Sequence, residues 1–156
     1  MTEYARPDGR GLVGWWKEVV FEHYADFRGR ARRSEYWTFT LVNVVLALAM
    51  NVVSFFAGSL AGAGSEVAVF ALVGLSLAYL LYTLGVLIPG LAVGVRRLHD
   101  TGRSGWYLLI VLIPVVGAIA LVVWLATEGQ PGGNRYGPDP KSPARDDVVD
   151  HFGATV

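Results

Sequence analysis

The segment Phe27-Arg-Gly-Arg-Ala-Arg-Arg-Ser-Glu-Tyr-Trp37 decides the fold, because its arginines lead directly into a run without any charged residue, 36–65. A second arginine-rich segment, Arg96-Arg-Leu-His-Asp-Thr-Gly-Arg-Ser-Gly-Trp106, leads in the same way into the uncharged run 104–127, and residues 67–95 are also uncharged. A helix needs about 20 apolar residues to cross the ~30 Å hydrocarbon core of a bilayer. Each of the three runs is long enough, so the sequence predicts an all-α membrane protein with three transmembrane helices.

The composition agrees with a membrane protein and argues against several other classes. Of the 156 residues, 53% are hydrophobic, which is high for a soluble domain. The formal net charge is zero, but basic residues concentrate where one membrane face would lie, which argues against a nucleic-acid partner. The chain has no cysteine, so it offers no disulfide, no thiolate nucleophile and no cysteine metal site.

The predicted organisation is a single membrane domain, residues 12–140, between a flexible terminus, 1–11, and a disordered tail, 141–156. The three spans are predicted at about 36–57, 68–93 and 106–127, and a loop rich in Gly and Pro follows at 128–140. Residues 57–65 are mostly small and include no basic residue, which predicts a short external loop between the first two spans.

Residues 12–27 are predicted to form an amphipathic helix before the first span. Apolar side chains recur there at helical spacing, at Leu12, Trp16, Val19, Val20, Tyr24 and Phe27. Such a helix lies along the membrane interface, with its tryptophans at headgroup depth. The alternative is that it packs against the transmembrane helices of its own chain, and the sequence favours neither position.

Pro114 and Gly117 interrupt the third uncharged run. A kinked helix that crosses the whole membrane is the favoured interpretation, since neighbouring groups can satisfy the backbone that a proline frees in a membrane helix. The alternative is a re-entrant hairpin, which would return the C-terminal residues to the side from which the run entered.

The positions of the arginines predict the orientation, because short cytoplasmic loops of membrane proteins carry an excess of Lys and Arg. Arginines precede the first span and surround the second loop, whereas the first loop has none. The N-terminus and the loop 96–105 are therefore predicted in the cytoplasm. Three full spans would then leave the C-terminus outside.

A third segment, Gly132-Gly-Asn-Arg-Tyr-Gly-Pro-Asp-Pro140, completes a family resemblance. In this order and separation, the three segments resemble the small bacterial inner-membrane proteins catalogued as domain of unknown function 805. The resemblance covers residues from about 15 to 140. It implies a multi-pass protein of the bacterial inner (plasma) membrane, and it implies no activity, because the family has no established one.

The two arginine motifs would place a set of charged residues at one membrane face, and these form the candidate site: Arg30, Arg33, Glu35, Arg96, Arg97, His99, Asp100 and Arg103. A guanidinium group can hold a phosphate through two parallel hydrogen bonds, so these arginines are candidates for binding an anionic ligand. Alternatively they set the orientation and contact lipid without specificity. Glu35 and Asp100 are predicted to pair with arginines of the other motif and so to join the helices.

No catalytic residue, cofactor site or metal site is predicted. His99 has no companion at a metal-ligand spacing, and Ser34 and Ser104 lack the context of a catalytic nucleophile. The predicted function is a non-enzymatic, membrane-embedded binding or accessory module whose arginine-rich cytoplasmic face meets anionic phospholipid headgroups or a partner protein. The alternative is a small oligomeric transporter or channel. The sequence also allows a homo-oligomer, since Gly74 and Ala78 have the spacing of small residues at which membrane helices pack closely.

Overall fold

The computed structural model describes residues 11–141, so most of the predicted flexible terminus and nearly all of the predicted tail lie outside the described residues. Regular structure in this part of the chain is helical. It consists of α1 (Leu12–Lys17), which continues as a π-helical turn (Glu18–Glu22), α2 (Arg33–Gly62), α3 (Glu66–Asp100), a 3-10 helix (Gly105–Leu112) and α4 (Val116–Ala126). The prediction of an all-helical fold is confirmed for these residues.

Helices α2 and α3 form an antiparallel pair of membrane-spanning length. They contain 30 and 35 residues, and both are long and apolar enough to cross a membrane. The turn between them is shorter than the predicted loop 57–65, because α2 continues to Gly62 through residues that tolerate a helix. Gly64 then takes a φ of +91°, which glycine adopts without strain, and the Ser65 side chain caps α3 by accepting from the backbone N–H of Ala68 at 3.3 Å.

Most large apolar side chains of α2 and α3 point outward. Leu48 and Phe70, for example, are 62% and 76% exposed. A soluble protein rarely leaves so extensive an apolar surface uncovered, whereas lipid tails are as apolar as these side chains. The two helices therefore present the surface of a membrane protein.

The packed core lies at the end of the pair where α2 begins and α3 ends. We call this the arginine end, and it comprises residues 28–35 and 96–105. A cluster of buried apolar residues packs beside it: Val19, Ala31, Phe39 and Val93. Gly90 of α3 faces the Phe39 ring of α2, and a Cβ atom at this position would lie 3.4 Å from that ring.

The predicted amphipathic helix is shorter than expected. Its helical residues end at Glu22 and not at Phe27. Val19 is buried and Trp16 is half-buried, while Leu12 at the start of α1 stays exposed. The helix therefore packs against its own bundle through one face and leaves its first turn uncovered beside α2.

The third apolar segment does not form the favoured kinked helix, and that prediction is wrong for residues 106–127. The chain reverses at residues 113–115, where Pro114 holds the preceding residue in an extended conformation and Val115 takes a φ of +63°. The rings of Tyr107 and Trp124 consequently lie 5.2 Å apart, whereas a straight helix would separate these positions by roughly 25 Å. The 3-10 helix and α4 are thus two arms of a hairpin, residues 105–126, as in the alternative interpretation.

Gly117 is required where the two arms of the hairpin meet. A Cβ atom at this position would overlap the carbonyl oxygen of Ile110. The first arm also packs closely on α3, since a Cβ atom at Gly105 would lie 2.8 Å from the Val95 side chain. The hairpin therefore depends on glycine at both contacts.

Candidate functional site

The arginine end brings the two arginine motifs together around one carboxylate. Arg30, which precedes α2, donates from Nε to Asp100 Oδ1 at 2.9 Å. Arg97, one turn before Asp100 on α3, donates from Nη1 to Oδ2 of the same carboxylate. Arg97 is fully buried and Asp100 is 3% exposed. We call Arg30, Arg97 and Asp100 the buried cluster.

The remaining guanidinium nitrogens of the buried cluster donate to backbone carbonyls. Arg30 Nη1 lies 2.5 Å from the Gly132 oxygen, and Arg97 Nε lies 3.0 Å from the Leu125 oxygen. Further acceptors include the carbonyls of Gln130 and Thr127. Every guanidinium nitrogen of the two arginines has an acceptor, so this cluster fastens the segment after α4 to the arginine end and leaves no nitrogen for a phosphate.

Two glycines make this fastening possible. A Cβ atom at Gly129 would overlap the Asp100 carboxylate, and the Gln130 backbone N–H donates to the Asp100 carbonyl at 2.8 Å. Gly102 has a φ of +75°, and a Cβ atom there would meet the Gln130 side chain at 2.5 Å. The loop after α4 can therefore lie directly on the end of α3.

Glu35 and Arg96 form a second buried ion pair, between the first turn of α2 and the last turns of α3. Arg96 Nη2 lies 2.7 Å from Glu35 Oε1, and the two side chains are 4% and 6% exposed. Apart from this ion pair, Nε and Nη2 of Arg96 and Oε1 of Glu35 have no hydrogen-bond partner within residues 11–141.

His99 lies against the loop after α4. Its ring stacks on Tyr136, with the ring centroids 3.8 Å apart and the planes 3° from parallel. His99 Nδ1 lies 3.1 Å from the Gly29 carbonyl oxygen, and since a carbonyl only accepts, Nδ1 carries the hydrogen. The Asp100 carboxylate faces Arg30 and Arg97 instead, so the histidine serves to hold the loop residue Tyr136 against the arginine end.

Arg33 and Arg103 lie outside the buried cluster. Arg33 Nη2 is 2.6 Å from Glu128 Oε2, in an exposed pair, and the Arg103 guanidinium lies over the Trp124 ring, 5.2 Å from its centroid. A hydrogen bond from Lys141 is the main cause that lowers the pKa of Glu128 from its ordinary value. These two arginines therefore belong to the surface of the arginine end.

Sequence reasoning missed the carbonyl acceptors at the end of α4 and in the loop after it. The carbonyls that receive Arg30 and Arg97 carry no side-chain signal, because any residue can supply them. The stacking residue Tyr136 does belong to the third family segment, 132–140, and Gly129 lies just before it. That segment was the available indication that the loop returns to the two arginine motifs.

Comparison with known proteins places the chain among inner membrane proteins. A family model described as "Protein of unknown function (DUF805)" matches residues 24–138. Inner membrane protein YhaI of Escherichia coli (strain K12) is 42% identical over 128 residues, which cover 81% of this chain and 95% of the relative. Inner membrane protein YhaH of the same strain is 39% identical over 126 residues, covering 81% and 96%. No solved structure matches the chain. The chain therefore belongs to the DUF805 family, as the resemblance of its three segments predicted.

Proposed function

We propose that this protein is a non-enzymatic binding or accessory module of the bacterial inner membrane, whose arginine end meets anionic phospholipid headgroups at the cytoplasmic face. The observation that carries the proposal is the pairing of surface arginines with aromatic rings. Arg103 lies over Trp124, and Arg135 lies over Tyr136 with 4.7 Å between the guanidinium carbon and the ring centroid. Arginine and aromatic side chains together are typical of the headgroup layer.

The dimensions of the hairpin support this placement. Its first arm has eight residues and extends roughly 16 Å as a 3-10 helix. The second arm has 11 residues and extends about the same distance as an α-helix. Each arm thus reaches about halfway through a ~30 Å hydrocarbon core. The tip is apolar and uncovered, with Leu112 and Val115 75% and 70% exposed, which supports a re-entrant hairpin that dips into the membrane.

A binding module fits the two long helices better than a coupled transporter does. The runs 36–65 and 67–95 contain no charged residue, whereas transporters usually mark the path of an ion with ionisable groups inside the membrane. Two spans and a half-depth hairpin also leave a single chain too small to surround an aqueous path. The rival function, an oligomeric transporter or channel, therefore requires several copies.

Lipid retained during purification tests the proposal. We expect the parent protein to enrich anionic over zwitterionic phospholipid, measured by mass spectrometry of the purified protein. The double variant Arg103→Gln/Arg135→Gln should lose most of this enrichment, since each basic residue near a membrane surface contributes about 1 kcal/mol of attraction to anionic lipid. Lys17→Gln is the matched control, because it removes an exposed cation that belongs to neither arginine–aromatic pair.

Flux measurements separate the proposed function from its rival. The same preparations, reconstituted in proteoliposomes, should conduct ions no faster than protein-free vesicles. Flux well above that background, or anionic enrichment that survives in the double variant, would contradict the proposed function.

A further inference from the structure

Pro89 interrupts the hydrogen bonding inside α3. Proline has no backbone N–H, so the carbonyl of the residue four positions earlier, Gly85, loses the donor that a continuous helix would give it. Pro89 lies within α3 and its side chain is fully buried, so the interruption belongs to a packed part of the molecule. Gly85 falls in the uncharged run 67–95. Because water does not reach a carbonyl in the hydrocarbon core of a bilayer, another protein group must supply the donor.

The side chain of Tyr24 supplies that donor. Its hydroxyl donates to the Gly85 carbonyl oxygen at 2.8 Å, across 61 positions of the sequence. Pro89 is the single proline of α3, so Tyr24 reaches the one carbonyl in the middle of this helix that a proline deprives of its donor. The position of the contact is therefore the position that the chemistry of proline requires.

The turn that carries Tyr24 is itself held in place. Tyr24 lies in the turn after the π-helical segment. Asp26 fixes this turn, since its carboxylate lies 3.3 Å from His23 Nδ1 and accepts from the Arg28 backbone N–H at 3.0 Å. We call residues 23–27 the strap. It leads from the N-terminal helix to the first arginine motif, and its tyrosine fastens it to α3.

We propose that the strap is a conformational device that sets the bend of α3. The Tyr24 hydroxyl replaces the donor that Pro89 lacks, and its release allows α3 to bend at that point. A proline weakens a helix where it stands, because one hydrogen bond is absent and its ring crowds the preceding turn. The part of α3 beyond Pro89 carries Arg97 and Asp100. A bend there moves the buried cluster relative to the part of α3 inside the membrane.

NMR of the full chain in detergent micelles tests the contact directly. The sequence contains two Gly–Val pairs, 85–86 and 94–95. Labelling glycine carbonyls with ¹³C and valine nitrogens with ¹⁵N therefore gives two correlated signals, of which Gly94 is an internal control for Gly85. A carbonyl carbon resonates at higher frequency when its oxygen accepts a hydrogen bond. We expect Tyr24→Phe, which removes only the hydroxyl, to shift the Gly85 signal to lower frequency and to leave the Gly94 signal in place.

Three further variants show whether the hydroxyl acts through the proline. In Pro89→Ala the new residue restores a backbone N–H to Gly85, so adding Tyr24→Phe should then move the Gly85 signal far less. Asp26→Ala keeps the hydroxyl but releases the turn, and it should shift the Gly85 signal in the same direction as Tyr24→Phe. Tyr107→Phe is the matched control, because Tyr107 contacts a neighbouring ring through its own ring, and it should leave both signals in place.

Spin labels on the two sides of Pro89 measure the bend. Since the chain has no cysteine, cysteines introduced at Ser76 and Thr101 can carry the labels, which a straight helix would separate by roughly 37 Å. We expect Tyr24→Phe to broaden the distribution of distances towards shorter separations. Pro89→Ala should narrow the distribution, because it restores the continuous helix.

Each measurement has a result that overturns the inference. A Gly85 signal that stays in place in Tyr24→Phe means that the hydroxyl is not its donor. An equal shift with Pro89 present and replaced means that the contact does not compensate for the proline. A shifted signal with the spin-label distances of the parent means that the strap does not set the bend. None of these results depends on lipid retention or flux, so they leave the proposed function untouched.

Discussion

At the scale of single residues, the same amino acid serves two purposes at the arginine end. Arg30 and Arg97 are buried, and their N–H groups donate to Asp100 and to backbone carbonyls. The Arg103 guanidinium instead lies over the Trp124 ring at the surface. The sequence predicts that carboxylates of one motif pair with arginines of the other, because both motifs fall on one membrane face. The sequence cannot predict which arginines donate to backbone carbonyls, because a residue of any type can supply a carbonyl acceptor.

The Asp100 carboxylate provides the sharpest prediction at this scale. Asp100→Asn leaves Arg30 and Arg97 buried without a counter-charge, so it should lower the free energy of unfolding by about 3–5 kcal/mol. Glu128→Gln is the matched control, since it also converts a carboxylate to an amide but in an exposed pair, where a loss of no more than about 1 kcal/mol is expected. Thermal unfolding in detergent measures both. Equal melting temperatures for the two variants would mean that the buried cluster does not hold the fold.

At the scale of helices, the sequence predicts the two long spans, but it does not predict the hairpin that the third apolar segment forms. Uncharged runs of sufficient length predict α2 and α3 directly, and small residues at 57–62 extend α2 beyond the predicted boundary because alanine and leucine favour a helix. The third run has the same composition as a span. Its outcome depends on Pro114 and Gly117 acting together, one forcing the reversal and the other allowing the arms to touch. Hydropathy alone does not detect that combination.

The hairpin makes a prediction that a straight helix does not share. Gly117→Ala should destabilise the protein, because the new methyl group overlaps the Ile110 carbonyl, whereas Gly74→Ala meets no atom within 4 Å and should be neutral or slightly stabilising. Since the chain has no cysteine, cysteines introduced at Trp106 and Thr127 can carry two spin labels. Their separation should be far below the roughly 32 Å of a continuous helix, and it should lengthen in Gly117→Ala. A separation near the helical value in the parent protein would exclude the hairpin.

At the scale of the whole molecule, the buried charged residues are packed at one end beside a small apolar core, while the long helices stay apolar outside. The arginine motifs predict this end from the sequence through the rule that cytoplasmic loops are basic. The loop after α4 covers the arginine end, and its Gln130 and Gly132 carbonyls accept hydrogen bonds from Arg30. That cover is possible only if the chain returns to the face where α2 begins, so the hairpin and the buried cluster require each other.

The topology of the chain follows from that requirement and can be measured directly. Three full spans would put the loop after α4 on the side opposite the arginine motifs, whereas a hairpin puts both on the same side. Reporter fusions at Ala63 should therefore be external, and fusions at Thr101 and at Lys141 should both be cytoplasmic. The Lys141 fusion decides between the two folds, because the other positions are expected on the same sides in either case. An external Lys141 together with a cytoplasmic Thr101 would separate Arg30 and Arg97 from their carbonyl acceptors by the thickness of the membrane. The buried cluster could not then exist, so this single result would contradict both the hairpin and the attachment of the loop to the arginine end.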